Sequence, residues 1–400
     1  MDYSAGKVTG KVTCGDLPLL ISSFIDTFID FTVSDLFFPP PLSQDLNPVP
    51  SLSKSSYPSP ERLVAIGDLH GDLQKSKLAF RLAGLIDTSD RWIGGSTTVV
   101  QIGDVLDRGD DEIKILYFLD KLKLEAAKAG GTIFTMNGNH ETMNVESDFR
   151  FVTKGGLDEF KNWAYWYSIG NEMKSLCDGL PKPKDIFHGI PSSFANVKQD
   201  CHDGIRARIA ALRPKGPIAS RFLSKNFTVL VVGESVFVHG GLMPNHVTYG
   251  FDKINEEVRD WLIGLKEKVS PEIHRSSNSL VWLRKFSHEA ADKCDCSTLE
   301  HVLATIPGAR RMIMGHTIQV KGINTACNDQ AIRIDVGMSK GCIDGFPEVL
   351  EIERNSGLKV LTSNPLFQNR DDRTHAESAS KERFGFLIPE HSPKPIQVEA

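Results

Sequence analysis

Hydrophobic and polar positions along the chain divide it into short apolar runs separated by longer stretches of helical period. L-V-A-I before Gly67, T-T-V-V-Q-I before Gly103 and T-I-F-T-M before Asn137 are β-branched or apolar throughout, the signature of strands buried on both faces of a parallel sheet. Between them the spacing predicts helices over Asp72 to Ile86, with Asp72 placed to cap, and over Asp110 to Ala129. In the second helix Asp110, Asp111 and Glu112 sit where a helix N-terminus favours negative charge. Strand, helix, strand, helix, strand is the βαβ arrangement, whose crossovers are right-handed. Further on, Phe227 to Val232 and Val236 to His239 alternate around G-E-S, a hairpin signal. Helices are expected over Phe251 to Lys268 and Thr298 to Ile306, and strands at Arg311 to Met314, Ala331 to Val336, Glu348 to Glu353 and Leu358 to Leu361. Two strand systems, separated by a helical insertion over about 142–226, predict an α/β fold: a central β-sandwich of mixed sheets flanked by helices.

The same patterning divides the chain into three parts. Residues 1–60 hold an amphipathic helix and a linker, 61–362 a catalytic domain, and 363–400 a polar tail. From Leu17 to Phe38 the chain is rich in Leu, Ile and Phe, and Ile21, Phe24, Ile25, Phe28 and Ile29 share one helical face. Asp16, Asp26, Asp30 and Asp35 interrupt it, so it does not read as a transmembrane span. It also lacks the Arg-rich, acid-poor character of an organelle presequence. The reading is a helix packed on the catalytic core, with docking on a partner as the alternative; an acidic face does not suit a membrane surface. Residues 39–60, from P-P-P-L-S to Y-P-S-P, read as an extended linker. In the insertion, Trp163, Tyr165, Trp166 and Tyr167 are expected in a core before a substrate platform, and the segment as a whole to cap one side of the site.

Each apolar run ends in a polar motif: G-D-L-H-G (Gly67 to Gly71), G-D-V-L-D-R-G (Gly103 to Gly109) and G-N-H-E (Gly138 to Glu141). Ligands of open parallel sheets sit at the carboxyl ends of the strands, so Asp68, His70, Asp104, Asp107, Arg108, Asn139 and His140 should converge on one rim. Carboxylate and amide oxygens mixed with imidazole nitrogens suit Mn, Fe or Zn, whereas an all-oxygen shell would suit Mg or Ca. One carboxylate between an Asp-x-His and an Asn can bridge two cations about 3.5–4 Å apart, the usual clamp for displacement at phosphorus. With water as the attacker, the reaction is hydrolysis.

With H-G-G (His239 to Gly241) and M-G-H-T (Met314 to Thr317) these motifs form an ordered set of five, spanning roughly Arg62 to Thr362. The set resembles the calcineurin-like metallophosphoesterases, and within them the phosphoprotein phosphatase group. D-R-G-D-D-E (Asp107 to Glu112), the long segment between G-N-H-E and H-G-G, and V-W-L-R (Val281 to Arg284) look like the Shewanella-like protein phosphatases of plants, a bacterial-type branch. The resemblance implies two divalent metal ions, Mn first and Fe or Zn as alternatives. The first would be held by Asp68, His70 and Asp104, the second by Asp104, Asn139, His239 and His316. It further implies attack by a hydroxide between the metals, Arg108 gripping the phosphate, and His140, oriented by Asp107, protonating the leaving oxygen. Arg284 is a second phosphate-grip candidate, weighed about evenly against a surface arginine.

Composition adds limits. A formal charge of -5 over 400 residues gives no sign of nucleic-acid binding, so phosphate has to be attracted locally. No G-x-x-x-x-G-K-[ST] loop is present. Seven scattered cysteines argue against a secreted disulfide framework, and C-D-C at Cys294 to Cys296 is expected to be a reduced loop. This suits the cytoplasm, with the mitochondrial intermembrane space as the alternative. The expected function is hydrolysis of phosphoserine and phosphothreonine in proteins, with phosphotyrosine as a further substrate. A small-molecule phosphoesterase, such as a dinucleoside polyphosphate hydrolase, and a catalytically inactive scaffold are the competing readings. The S-A-P-N-Y-like segment of the animal-type phosphatases is absent near the end of the chain. Inhibition by okadaic acid or microcystin is therefore expected to be weak, and a nanomolar inhibition constant would contradict this.

Overall fold

In the computed structural model the described residues are 18–38, 54–354 and 357–366. The strands are β1 (Ser56–Tyr57), β2 (Arg62–Ile66), β3 (Thr98–Gln101), β4 (Thr132–Thr135), β5 (Val229–Val232), β6 (Ser235–Val238), β7 (Arg311–Met314), β8 (Asn324–Ala326), β9 (Ala331–Arg333), β10 (Glu348–Glu353) and β11 (Gly357–Thr362). They form a five-stranded sheet of order β11-β10-β2-β3-β4 and a six-stranded sheet of order β1-β5-β6-β7-β9-β8, both mixed. The three motif strands pair in parallel, with Val64 opposite Val99 and Val99 opposite Ile133. All three side chains are buried, as runs without alternation require. In the second sheet β6 and β7 are parallel, Phe237 facing Ile313. One hydrophobic cluster joins both sheets, so the two layers share a core. The amide of Asn137 donates to the carbonyl of Phe227 at 2.8 Å and that of Phe227 to Thr135 at 2.9 Å, fastening the end of β4 to the chain entering β5. The carboxyl ends of both sheets thus open on the same side.

Helices cover the sheets: α1 (Pro18–Ser34), α2 (Leu73–Leu82), α3 (Glu112–Lys128), α4 (Asn139–Val145), α5 (Lys154–Ser175) and α6 (His202–Leu212), with shorter ones following. Asp72 caps α2, accepting from the Lys75 amide at 3.0 Å. The insertion is built around the packed pair α5 and α6, with the aromatic cluster Trp163 to Tyr167 on α5. Trp163 is buried and stacks on Tyr167 at 5.0 Å between centroids, while Tyr165 is exposed. No helix among the described residues is long and apolar enough to cross a membrane.

α1 lies against α5 and α3. Ile25, Ile29 and Val33 are buried; Phe24 and Phe28, assigned to the same face, are exposed. At Gly170 of α5 a Cβ would collide with Ile29, so glycine permits the close crossing. Asp30 accepts from both terminal nitrogens of Arg221, at 2.6 and 2.8 Å, and from the Tyr117 hydroxyl at 2.8 Å.

Several expectations change. Most of the linker, 39–53, and most of the tail, 367–400, lie outside the described residues. Within the linker's last part, Ser56 and Tyr57 pair in parallel with Val231 and Val232; two residues are too few for periodicity to reveal. The helix expected over Phe251 to Lys268 ends at Leu262, where Gly264 takes a left-handed conformation (φ 70°). The C-D-C triplet is not a reduced loop. Cys296 is disulfide-bonded to Cys327, 31 residues away, and Cys177 is disulfide-bonded as well, while Cys294 is free and buried. Sequence spacing carries no trace of a bond made between distant turns, and the argument for a reducing compartment falls with it. Breaking the buried anchor of α1 by Asp30→Ala, with Arg221 partly solvated, should cost about 2 kcal/mol. Urea unfolding measures this, and an unchanged midpoint would contradict it.

Candidate metal centre

Every predicted ligand lies at a strand end or one turn beyond it. Asp68 and His70 follow β2, Asp104 follows β3, Asn139 opens α4 just after β4, His239 follows β6 and His316 follows β7. Asp104 is the meeting point. Its Oδ2 lies 3.1 Å from His239 Nε2, 3.7 Å from His70 Nε2 and 3.9 Å from His140 Nε2. Donor atoms within 4.8 Å of one another form two trios, His70–Asp104–His140 and Asp104–His239–His316, with Asp104 common to both. Asn139 Oδ1 is 3.0 Å from His239 Nε2, on the second trio's side. Asp68, expected beside His70 and Asp104, is in neither trio at that separation; its Oδ2 accepts the His316 amide at 3.1 Å, and its Oδ1 stays without a hydrogen-bond partner. The third member of the first trio is His140.

The histidines are oriented from behind. His70 Nδ1 is 3.0 Å from the Leu106 carbonyl and His239 Nδ1 is 3.0 Å from that of Ile102, leaving both Nε2 atoms to the centre. His316 is turned the other way, its Nε2 3.2 Å from the Trp282 carbonyl, leaving Nδ1 inward. Such backbone acceptors are the usual partners of metal-ligating imidazoles.

The loops that achieve this are conformationally costly. His70, Asp104, Asp107, Arg108 and His316 all have positive φ, between 45° and 68°, where non-glycine residues carry about 1–3 kcal/mol of strain each. Glu141 offsets part of this cost. Its carboxylate accepts the amides of Gly138, Asp104, Val105 and Leu106, tying the second and third motif loops together. Glycine is needed at two close approaches: a Cβ on Gly138 would collide with Asp104 Oδ1, and one on Gly315 with Asp68 Oδ1.

Charge distribution shows that the site fits cations. Asp68, Asp104 and Asp335 are buried together. Burial and the neighbouring Asp335 push Asp68 well above the usual carboxylate range, and its Oδ1 is buried with no hydrogen-bond partner. Asp104 is also opposed by burial, yet His239 and His140 hold it well below that range. Burial likewise opposes a charge on His239, but Asp104 and Asp68 push it up to about 10, while burial and the charge of His140 push His70 down to about 3. Three buried carboxylates among imidazoles form a cluster that divalent cations would neutralise outright, and the O/N donor set is that of Mn, Fe or Zn.

Beside the trios lies a dyad. His140 Nδ1 is 2.6 Å from Asp107 Oδ2, and against burial the carboxylates of Asp104 and Asp107 raise its pKa. Arg108 receives its place from its own amide, which donates to the Phe151 carbonyl at 3.0 Å, and from the Phe151 ring 4.8 Å below its guanidinium. Its Nε is buried without a partner. Arg284 lines the same pocket, with one terminal nitrogen donating to the His316 carbonyl at 2.8 Å and to Thr317 Oγ1 at 2.9 Å. Four residues of this pocket or its supports had no role in the sequence reading. Glu141 is inside a recognised motif, and Asp335 ends an expected strand, so the strand-end rule could have found it. Trp282 lies inside the V-W-L-R segment, whereas Phe151, which also lines the pocket, carries no comparable signal.

Residues 61–320 match the calcineurin-like phosphoesterase family. The chain belongs to it. It is 62% identical over 388 residues to the Shewanella-like protein phosphatase 2 of Arabidopsis thaliana, covering 97% of each chain. It is 28% identical to the Shewanella-like protein phosphatase 1 of Plasmodium berghei, over 79% of this chain and 77% of that one. The cold-active protein-tyrosine phosphatase of a psychrophilic Shewanella species shares the fold at a TM-score of 0.55 and 19% identity, over 81% of this chain and 89% of that one. This calcineurin-like phosphoesterase is therefore a phosphatase, and its family implies divalent metal ions. Asp104→Asn removes the one charge shared by both trios. It should lower bound metal, measured by inductively coupled plasma mass spectrometry, and reduce turnover more than about 100-fold. A fully metallated, active variant would contradict the shared-carboxylate geometry.

Proposed function

We propose that the chain is a two-metal phosphoprotein phosphatase acting on phosphoserine and phosphothreonine monoesters, and on phosphotyrosine. The observation that carries the reading is Asp104, common to two donor trios, with the His140–Asp107 dyad alongside. Asp68, His70 and Asp104 would hold one cation, and Asp104, Asn139, His239 and His316 the other. When bound, a divalent pair supplies Lewis-acid charge to the phosphoryl group and lowers the pKa of a water toward neutrality.

The protein's own side chains do the rest. Arg108, clamped against Phe151 and with its Nε free of a protein partner, would offer its planar fork of N–H groups to the phosphate oxygens. Arg284 lends charge from the same pocket. His140 holds a proton at Nε2 and delivers it to the departing alkoxide, with Nδ1–H fixed on Asp107 throughout. Phe151 and Trp282 limit water at the rim.

Substrate size favours a protein. The pocket measures about 80 Å³, well below the roughly 300–1,000 Å³ of small-molecule sites. It takes the phosphoryl group and leaves the rest of the ester on the surface, as the names of the Arabidopsis and Plasmodium relatives also suggest. We read Mn as the first metal and α1 as part of the catalytic unit, because Ile25, Ile29 and Asp30 are buried against it. His140→Asn should reduce kcat about 10²- to 10⁴-fold with phosphoserine peptides, and far less with p-nitrophenyl phosphate, whose leaving group needs little protonation. Equal losses, or a preference for dinucleoside polyphosphates over phosphopeptides, would overturn the proposal.

A further inference from the structure

The helical insertion contributes one residue that no motif contains. Arg208, on α6, lies 101 positions beyond Asp107 in sequence, yet its NH2 donates to Asp107 Oδ1 at 3.0 Å. Its side chain is completely buried. NH1 and NH2 donate to the two oxygens of Glu112 at 2.8 and 2.6 Å, and Nε donates to Asn144 Oδ1 at 2.7 Å. The guanidinium lies 4.5 Å from the Phe160 ring centroid and 5.8 Å from that of Phe149, both on the insertion side.

The partners of Arg208 all lead back to the dyad. Glu112 Oε2 accepts the Asp107 amide at 2.8 Å, fixing the backbone of a residue at φ 68°. Asn144 Nδ2 donates to Asp107 Oδ1 at 2.9 Å and to the His140 carbonyl at 2.8 Å. Asp107 therefore has one oxygen held by two donors and the other left for His140 Nδ1. A carboxylate with one free rotation about χ2 would present a shifting acceptor. Two donors on Oδ1 stop that rotation and keep the imidazole plane, hence Nε2, aimed into the pocket. A full charge from Arg208 also makes this a charge-assisted bond, stronger than the one from the Asn144 amide.

We propose that Arg208 is a positioning residue for the general-acid dyad, so that the insertion is part of the catalytic apparatus as well as a cap on the site. This rests on the acid role proposed above for His140. The bland alternative is a buried ion pair that only fastens the insertion to the core. The two differ in what they do to chemistry. Lost fastening lowers the active fraction for every substrate alike, whereas a loosened dyad slows only those reactions whose leaving group needs a proton. Misplacement of a catalytic group by about 1 Å can cost on the order of 10² in rate.

Arg208→Met alone would leave Glu112 buried and unpaired, a defect that can prevent folding. The working variant is therefore Arg208→Met with Glu112→Gln, which removes both charges and keeps an acceptor for the Asp107 amide. Arg208→Lys serves as a second variant that retains charge with a poorer fork, and is predicted to fall between wild type and the double variant. Each is assayed as full-length, metal-loaded protein, beside wild type and His140→Asn, with a phosphoserine peptide and with p-nitrophenyl phosphate. The expected result for the double variant is a kcat loss of about 10- to 100-fold with the peptide. The loss with p-nitrophenyl phosphate should be clearly smaller, with KM and metal content unchanged. Equal losses with both substrates in the double variant, or in Arg208→Lys should the double variant not fold, overturn the positioning role; so does no loss at all. If His140→Asn itself shows no leaving-group dependence, the acid role fails and the proposal falls with it. Discrimination by His140→Asn without discrimination by the Arg208 variants overturns this proposal alone.

Discussion

A single buried carboxylate, Asp104, sets the constraint from which the rest of the structure follows. Its Oδ2 faces three imidazoles within 4 Å, its Oδ1 accepts the His140 amide at 3.0 Å, and its own amide is held by Glu141. Its carbonyl accepts the amides of Leu69 and His70 at 3.0 and 2.9 Å, so the first motif loop hangs on the second. An isolated carboxylate in such a place would cost far more than it returns. Its partners come from β2, β3, β4, β6 and β7, which is why two sheets have to open their carboxyl ends on the same side.

Holding many polar groups on short loops above a rigid sheet demands unusual backbone. The left-handed conformations at His70, Asp104, Asp107, Arg108 and His316 are all within the site. They persist because the parallel strands beneath are buried and because Glu141, Glu112 and Arg208 over-determine the loops through hydrogen bonds. Strain of this kind is stability exchanged for pre-organised donors, and it explains why so much buried polar material lies at one end of an otherwise apolar core.

How much of this was legible in the sequence depended on the range of the interaction. L-V-A-I, T-T-V-V-Q-I and T-I-F-T-M read as strands because burial on both faces leaves no polar position to mislead, and Asp72 read as a cap because capping is local. The hairpin around Gly233 was visible for the same reason. Pairing of Ser56 with Val231, the Cys296–Cys327 bond and the contact between Arg208 and Asp107 are decided by tertiary approach across long stretches of chain. The sequence reading placed a helical insertion over about 142–226 but could not say which of its residues would meet the site. α1 shows the same limit in reverse: its periodicity grouped Phe24 with Ile25, but packing on α5 buries only the latter.

The proposed chemistry needs two cations that share Asp104, close enough to act on one phosphoryl group. The most direct measurement is electron paramagnetic resonance on protein loaded with Mn(II), with the metal-to-protein ratio determined on the same sample. The account predicts two ions per chain and the broad, temperature-dependent signal of an exchange-coupled pair. A ratio of one, or two ions giving only the six-line spectrum of isolated Mn(II), would contradict it.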